Sequence, residues 1–198
     1  IAEPERTMGF LAPSHPGDTL VARNLAATRA WYEWAAVDLG RSALVDRALA
    51  WLETNLPDAS ESVVTWGDAR IGNTMYRDFE PVAVLDWEMA TLGPRELDVS
   101  WLIFAHRVFQ TITEFMGLDG MPDFLAEHEV RETYERLSGA QLGDLTWYHL
   151  YNGVIWCIVF MRTGLRQVHF GEIELPDDIE TLFHCRPLVE QLLAEVGA

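Results

Sequence analysis

Cysteine is scarce: Cys157 and Cys185 are the only two in 198 residues, too few for the disulfide framework of a small secreted domain. Both stand in apolar, helix-patterned contexts without paired metal-ligand spacing, so they read as reduced, buried thiols and point to a cytosolic setting. Basic residues are also few. Fourteen Lys and Arg against 31 Asp and Glu give a formal charge of −17, which argues against nucleic acid or an anionic membrane as partner, since both need basic surface. The same charge suits a cationic small molecule. Long apolar runs are missing as well. The longest, Gly153-Val-Ile-Trp-Cys-Ile-Val-Phe-Met161, stops at Arg162, well short of the roughly 20 residues a membrane helix requires. Ala2-Glu-Pro-Glu-Arg6 is charged and Pro-bearing where a signal peptide is apolar. The six histidines are scattered with no His-x-x-x-His or His/Cys cluster, which argues against a zinc site or a catalytic histidine.

What is present is enough apolar residue, 49% of the chain, to bury one sizeable core of single-domain length. Residues 1–20, with Pro4, Pro13, Pro16, Gly9 and Gly17, read as an extended linker arm; residues 21–198 read as the folded body. Apolar residues recur at helical spacing over Asn24–Asp38 and Ser42–Asn55. Further helices are expected over Pro94–Phe115, Met121–Ser138, Gly143–Val168 and Pro176–Val196, the first with Pro94 near its opening turn, where a missing N–H costs little. Trp31, Trp34, Trp101 and Trp156 fall on apolar helix faces and read as core packing. The pattern is α+β and predominantly helical, about six helices around one small β element.

That β element carries the chemistry. Ser62-Val-Val-Thr65, Asn73-Thr-Met-Tyr76 and Val82-Ala-Val-Leu85 are short β-prone runs, and the segments between them hold Asp68, Asn73 and Asp86. Taken singly, each of these three reads equally well as a turn residue. As an ordered set they match a phosphoryl-transfer site, in which one carboxylate orients and deprotonates an attacking hydroxyl while an amide oxygen and a second carboxylate hold Mg²⁺. Gly67 and Gly72 let the backbone approach a ligand closely.

The run Trp66-Gly-Asp-Ala-Arg-Ile-Gly-Asn73, then Leu85-Asp-Trp-Glu-Met-Ala90, then Gly93-Pro-Arg-Glu-Leu-Asp98 resembles the aminoglycoside phosphotransferase-like (choline/homoserine kinase-like) small-molecule kinases. Their catalytic segments read His-Gly-Asp-x-x-x-x-Asn, Ile-Asp-Trp-Glu-x-Ala and Gly-x-x-x-x-Asp. The resemblance implies the C-terminal lobe of a protein-kinase-like fold, with a small β-hairpin element bearing the catalytic and metal-binding loops. It implies Asp68 as catalytic base, Asn73 and Asp86 as Mg²⁺ ligands beside ATP, and Asp98 as the residue that anchors the catalytic loop through backbone hydrogen bonds. Glu88 would shape the metal or substrate pocket. Trp66 stands where the family has His; an indole still packs and donates one hydrogen bond. Arg70 either reaches a phosphate or faces solvent. The implied activity is transfer of the γ-phosphate of ATP to a hydroxyl of a small molecule, and the acidic residues Glu172, Glu174, Asp177 and Asp178 either face a cationic acceptor or form a solvated loop.

Kinases of this architecture hold ATP with a phosphate-covering loop, a strand Lys and a helix Glu, all from a preceding β-rich lobe. The chain shows no Gly-x-x-x-x-Gly-Lys-[Ser/Thr] loop and no Val-Ala-Ile-Lys-like strand, so it is expected to need an N-terminal lobe of its own. Two other classes compete: a non-catalytic kinase-like module binding nucleotide or a protein partner, motivated by Trp66, and a metal-dependent phosphoesterase, which needs more His and Asp ligands than are available.

Overall fold

The helix α6 (Thr146–His169) is apolar around most of its girth, with Leu150, Val154, Ile158 and Met161 fully buried, so it has to sit inside. It packs against α2 (Leu20–Leu39), α3 (Ala43–Thr54), α4 (Glu96–Phe115) and α7 (Arg186–Glu195). Gly153 makes the close approach possible: a methyl group there would lie 2.8 Å from the Val189 Cγ2 of α7. The computed structural model describes residues 1–58 and 61–198.

Caps set the helix starts. Thr19 Oγ1 accepts from Ala22 N at 3.1 Å and Ser42 Oγ accepts from Val45 N at 3.1 Å, each satisfying a backbone donor that the first helical turn leaves free. The Thr19 cap starts α2 four residues ahead of the expected Asn24. Two other expected helices are shorter than their sequence pattern. The helix foreseen from Met121 begins only at α5 (Glu127–Ser138), because Leu125 takes a left-handed φ of 56° that cannot continue a helix. The segment foreseen from Pro176 to Val196 breaks into a 3-10 turn, Ile179–Leu182, and α7, with Pro187 in the first turn of α7, where it has no N–H to offer an earlier carbonyl.

The first twenty residues are not extended throughout. Pro4–Thr7 form a helical turn, α1, and Gly9–Leu11 a 3-10 turn; the Thr91 hydroxyl donates to Leu11 O at 3.3 Å and ties this arm to the body.

The β structure comprises two small antiparallel sheets among the described residues. β1 (Val63–Thr65) pairs with β4 (Thr91–Gly93), Val64 opposite Leu92. β2 (Thr74–Arg77) pairs with β3 (Glu80–Val84) through a tight turn in which Asp78 and Phe79 both take positive φ, 52° and 66°, the twist that two-residue hairpins favour.

Of the four tryptophans expected in the core, Trp101 is buried and Trp31 and Trp156 pack against it half-buried. Trp34 is 54% exposed, covered on one face by the Arg162 guanidinium 3.8 Å from the ring centroid; the helix pattern does not distinguish a core face from one capped by an arginine stem. Cys157 and Cys185 are buried, free and 3.7 Å apart at sulfur, and burial pushes the Cys157 thiol well up.

Polar clamps hold α5, which has no fully buried residue. Glu127 at its start accepts from His149 Nε2 and from Arg107, both at 3.0 Å, while His149 Nδ1 meets the buried Ser100 hydroxyl at 2.9 Å. Asn152 donates to that same Ser100 oxygen at 3.0 Å, which leaves the Ser100 proton for His149 Nδ1 and the His149 Nε2 proton for Glu127. The hydrogen bond from His149, with Arg107 beside it, lowers the Glu127 carboxyl from its ordinary 4.5 to about 2. A carboxyl depressed in the folded state stabilises the fold above its unfolded pKa and loses that contribution as pH falls through its folded one. Stability measured by urea unfolding is therefore expected to fall between about pH 4.5 and pH 2 through this residue. Glu127→Gln should flatten that part of the profile and be less stable than the parent at neutral pH; an unchanged acid limb would show that the clamp contributes nothing.

Candidate functional site

β1 leads directly into the loop Trp66-Gly67-Asp68, and the geometry of that loop is set from below by α4. Asp98, in the first turn of α4, accepts the backbone N–H of Trp66 at 2.7 Å on one oxygen and that of Gly67 at 2.8 Å on the other. Burial pushes the Asp98 carboxyl up, and the two N–H bonds pull against that rise. Gly67 is required on two counts: its φ is +89°, and a Cβ would lie 2.3 Å from the Met89 carbonyl, a backbone atom that cannot step aside.

Asp68, the expected base, presents a carboxylate whose side chain is 15% exposed, enclosed but reachable. Three neighbours donate to it. Trp101 Nε1 lies 2.8 Å from Oδ1, Asn73 Nδ2 2.6 Å from Oδ2, and Arg70 Nε 3.0–3.1 Å from both oxygens. Asp68 and Asn73 are thus brought together, with Asn73 held on the 3-10 turn Ile71–Asn73 and joined to the start of the metal segment by Leu85 N donating to Asn73 O at 2.8 Å. Arg70, one-third exposed, is the ion-pair partner of Asp68.

Asp86 sits in the segment between β3 and β4 with a left-handed φ of 64° and an exposed side chain. Trp66 links the two loops, its indole N–H lying 2.7 Å from Leu85 O and 3.2 Å from Asp86 O, with its ring 5.9 Å from that of Trp87. Glu88 is exposed. Glu172, Glu174, Asp177 and Asp178 are exposed too, and Asp178 is spent capping the 3-10 turn at Glu180 N, 3.0 Å.

Among the described residues no group of three or more His, Cys, Asp or Glu side chains is placed to hold a metal. The Asn73 and Asp86 pair still fits Mg²⁺ chemically. The Asn73 amide nitrogen is committed to Asp68, which leaves its oxygen free, and Asp86 offers an exposed carboxylate. Mg²⁺ characteristically takes one or two protein oxygens and completes its shell with phosphates and water.

The contact that sequence reasoning missed is the one from Trp101 to Asp68. Trp101 was placed in the core, where it does stack on Trp156 with centroids 5.6 Å apart, but its N–H points at the catalytic loop. The available signal was its spacing: three residues after Asp98 on a helix, the two side chains share one face.

The profile of the phosphotransferase enzyme family matches residues 6–143. The chain belongs to that family. Its fold is similar to that of a candidate aminoglycoside phosphotransferase from Ralstonia eutropha JMP134, with a TM-score of 0.68 at 21% identity, covering 96% of this chain and 59% of that one. A fainter likeness, TM-score 0.47 at 20% identity, is to the macrolide 2'-phosphotransferase MphH of Brachybacterium faecium, covering 86% of this chain and 52% of that one. In sequence, 76 residues are 30% identical to mouse acyl-CoA dehydrogenase family member 10, which is 37% of this chain and 7% of the mouse protein. The chain therefore spans little more than half of these structural neighbours and a small part of the mouse relative.

The Asp98 clamp makes a direct prediction. Asp98→Ala strips two backbone donors of their acceptor, a cost of about 1–3 kcal/mol each where they are buried, and should lower the urea midpoint accordingly. Asp98→Asn keeps one acceptor oxygen and should fall between. A midpoint unchanged in Asp98→Ala would mean that water replaces the carboxylate and that the clamp is not structural.

Proposed function

We propose that the whole enzyme transfers the γ-phosphate of ATP to a hydroxyl group of a small molecule, this chain supplying the kinase-like C-terminal lobe. The observation that carries the reading is the Asp68 carboxylate, fixed by Trp101 and Asn73 in a loop that Asp98 locks to α4. In this reading Asp68 accepts the hydroxyl proton as the oxygen attacks phosphorus, and Asn73 with Asp86 holds Mg²⁺. The metal supplies charge neutralisation on the phosphate oxygens. Asn73 would serve twice, its nitrogen holding the Asp68 carboxylate and its oxygen being available as a ligand for Mg²⁺. Arg70, paired with Asp68 while no phosphate is present, passes its guanidinium to the phosphoryl oxygens when that charge arrives, which frees Asp68 to act. Glu88 borders the metal segment, and Trp66 keeps that segment in register with the catalytic loop.

The remaining ATP contacts belong to an N-terminal lobe. All 14 basic residues of the chain are arginines, so a phosphate-binding lysine has to come from elsewhere. The β2–β3 hairpin offers a surface for such a lobe, since β3 is exposed along its whole length and Phe79 at the turn is 99% exposed. No helix among the described residues is long and apolar enough to cross a membrane, and a cytoplasmic setting, where ATP and Mg²⁺ are plentiful, completes the reading.

In the full-length enzyme, Asp86→Asn is expected to abolish Mg²⁺-dependent phosphate transfer, and Asp68→Asn, which still accepts from Trp101, to lower kcat by about 10²- to 10⁴-fold with an unchanged thermal midpoint. Normal turnover by Asp86→Asn would overturn the metal assignment. Loss of folding in Asp68→Asn would make Asp68 a structural residue.

A further inference from the structure

Beneath the catalytic loop lies a cavity of about 470 Å³, within the range of small-molecule sites. Two of its wall residues belong to the site already described. Gly67 precedes Asp68 in the chain, and Trp101 donates to the Asp68 carboxylate. The rest of the wall comes from α2, α6, the arm at residues 11–15, Thr65, the segment Met89–Thr91 and Leu97, with Trp31, Met89 and Ile155 giving it an apolar face.

None of the lining residues is Asp, Glu, Lys or Arg. Its polar side chains include His15 and Ser14 on the arm, and most of the others are committed to hydrogen bonds within the protein. Thr28 and the Tyr151 hydroxyl bond at 2.9 Å, Asn24 donates to Leu20 O and Leu92 O at 2.9 Å and accepts from Thr91, and Asn152 donates to Ser100. The net charge of −17 therefore lies outside this cavity. A cation carried in the body of the cavity, away from the Asp68 end, would lose its hydration and find no carboxylate in the wall, and contact with the aromatic walls returns less than an unpaired charge loses.

Resting on the phosphotransferase reading, we infer that the acceptor is an uncharged alcohol whose largely apolar body fills this cavity, its hydroxyl presented to Asp68 at the Gly67 and Trp101 end. This departs from the cationic acceptor that net charge alone suggests.

A matched pair of probes isolates the charge: 3,3-dimethylbutan-1-ol and choline share shape and hydroxyl and differ by one positive charge. With full-length enzyme, ATP and Mg²⁺, kcat/KM for the neutral alcohol is expected to exceed that for choline at least 10-fold. Ala27→Leu, which adds volume to the cavity wall, should weaken saturable binding of 3,3-dimethylbutan-1-ol, read by tryptophan fluorescence without ATP, at least 10-fold while leaving Mg²⁺-dependent ATP binding unchanged. Choline turned over as well or better, or neutral-alcohol binding that Ala27→Leu does not touch, overturns the inference and leaves the phosphotransferase reading standing. If no alcohol is phosphorylated and ATP does not bind, the phosphotransferase reading fails; if the fluorescence titration shows no saturable binding, the cavity assignment fails, whatever the outcome with ATP.

Discussion

The two hydrogen bonds from Trp66 N and Gly67 N to Asp98 fix everything that follows in the site. A loop between short strands has few contacts of its own with which to resist thermal motion, and catalysis needs the reacting groups held to within a fraction of an ångström. Anchoring two successive amides on one carboxylate removes the loop's freedom to tilt, and because that carboxylate belongs to the first turn of α4, the loop inherits the rigidity of a helix packed on α6. Trp101, one turn further along α4, then reaches Asp68 from the same rigid element. The Asp68 carboxylate and the loop that carries it are thus positioned by residues three apart on one helix, and a shift of α4 moves both together.

The same arrangement makes the carboxylate a shared resource. Asp68 accepts from an indole, an amide and a guanidinium, and two of these donors have a neutral, fixed character while Arg70 is charged and 33% exposed. Arg70 is also the one of the three with a long, flexible side chain partly open to water, so it is the partner most easily drawn away by a stronger anion. Trp101 and Asn73 would hold the carboxylate's orientation in its absence.

Much of this was legible in the sequence, for reasons tied to particular residues. The order Asp68, Asn73, Asp86, Asp98 is a local pattern, and backbone geometry fixes what such spacing can reach. The helices α2, α3, α4 and α6 carry clear periodicity. Strand β4 escaped notice because Thr91-Leu-Gly93 is three residues long and contains a glycine, too short to alternate; its strand character comes wholly from pairing with β1. The late start of α5 was hidden because Leu125 gives no local sign of a positive φ. Trp34 lies outside the core expected for it, and Trp101 lies inside it with a polar contact the pattern does not show, since periodicity reports which face of a helix is apolar and says nothing about whether an arginine will cover it or where an indole N–H will point.

Net charge and cavity wall bear on different steps of binding. A charge of −17 invites the idea of a cationic ligand, yet the carboxylates are held at the surface by ion pairs such as Arg41 with Glu33 and Asp46, and Arg186 with Glu190. Burial selects against unpaired charge, and the cavity under the Asp68 loop has no Asp, Glu, Lys or Arg in its wall, whereas other cavities are bordered by carboxylates such as Glu96 and Asp144, or Glu127 and Glu195. Net charge bears on what approaches the molecule, through a field that salt screens within about 10 Å, whereas a ligand held in the cavity under the Asp68 loop would meet the uncharged wall formed by Trp31, Met89, Trp101 and Ile155.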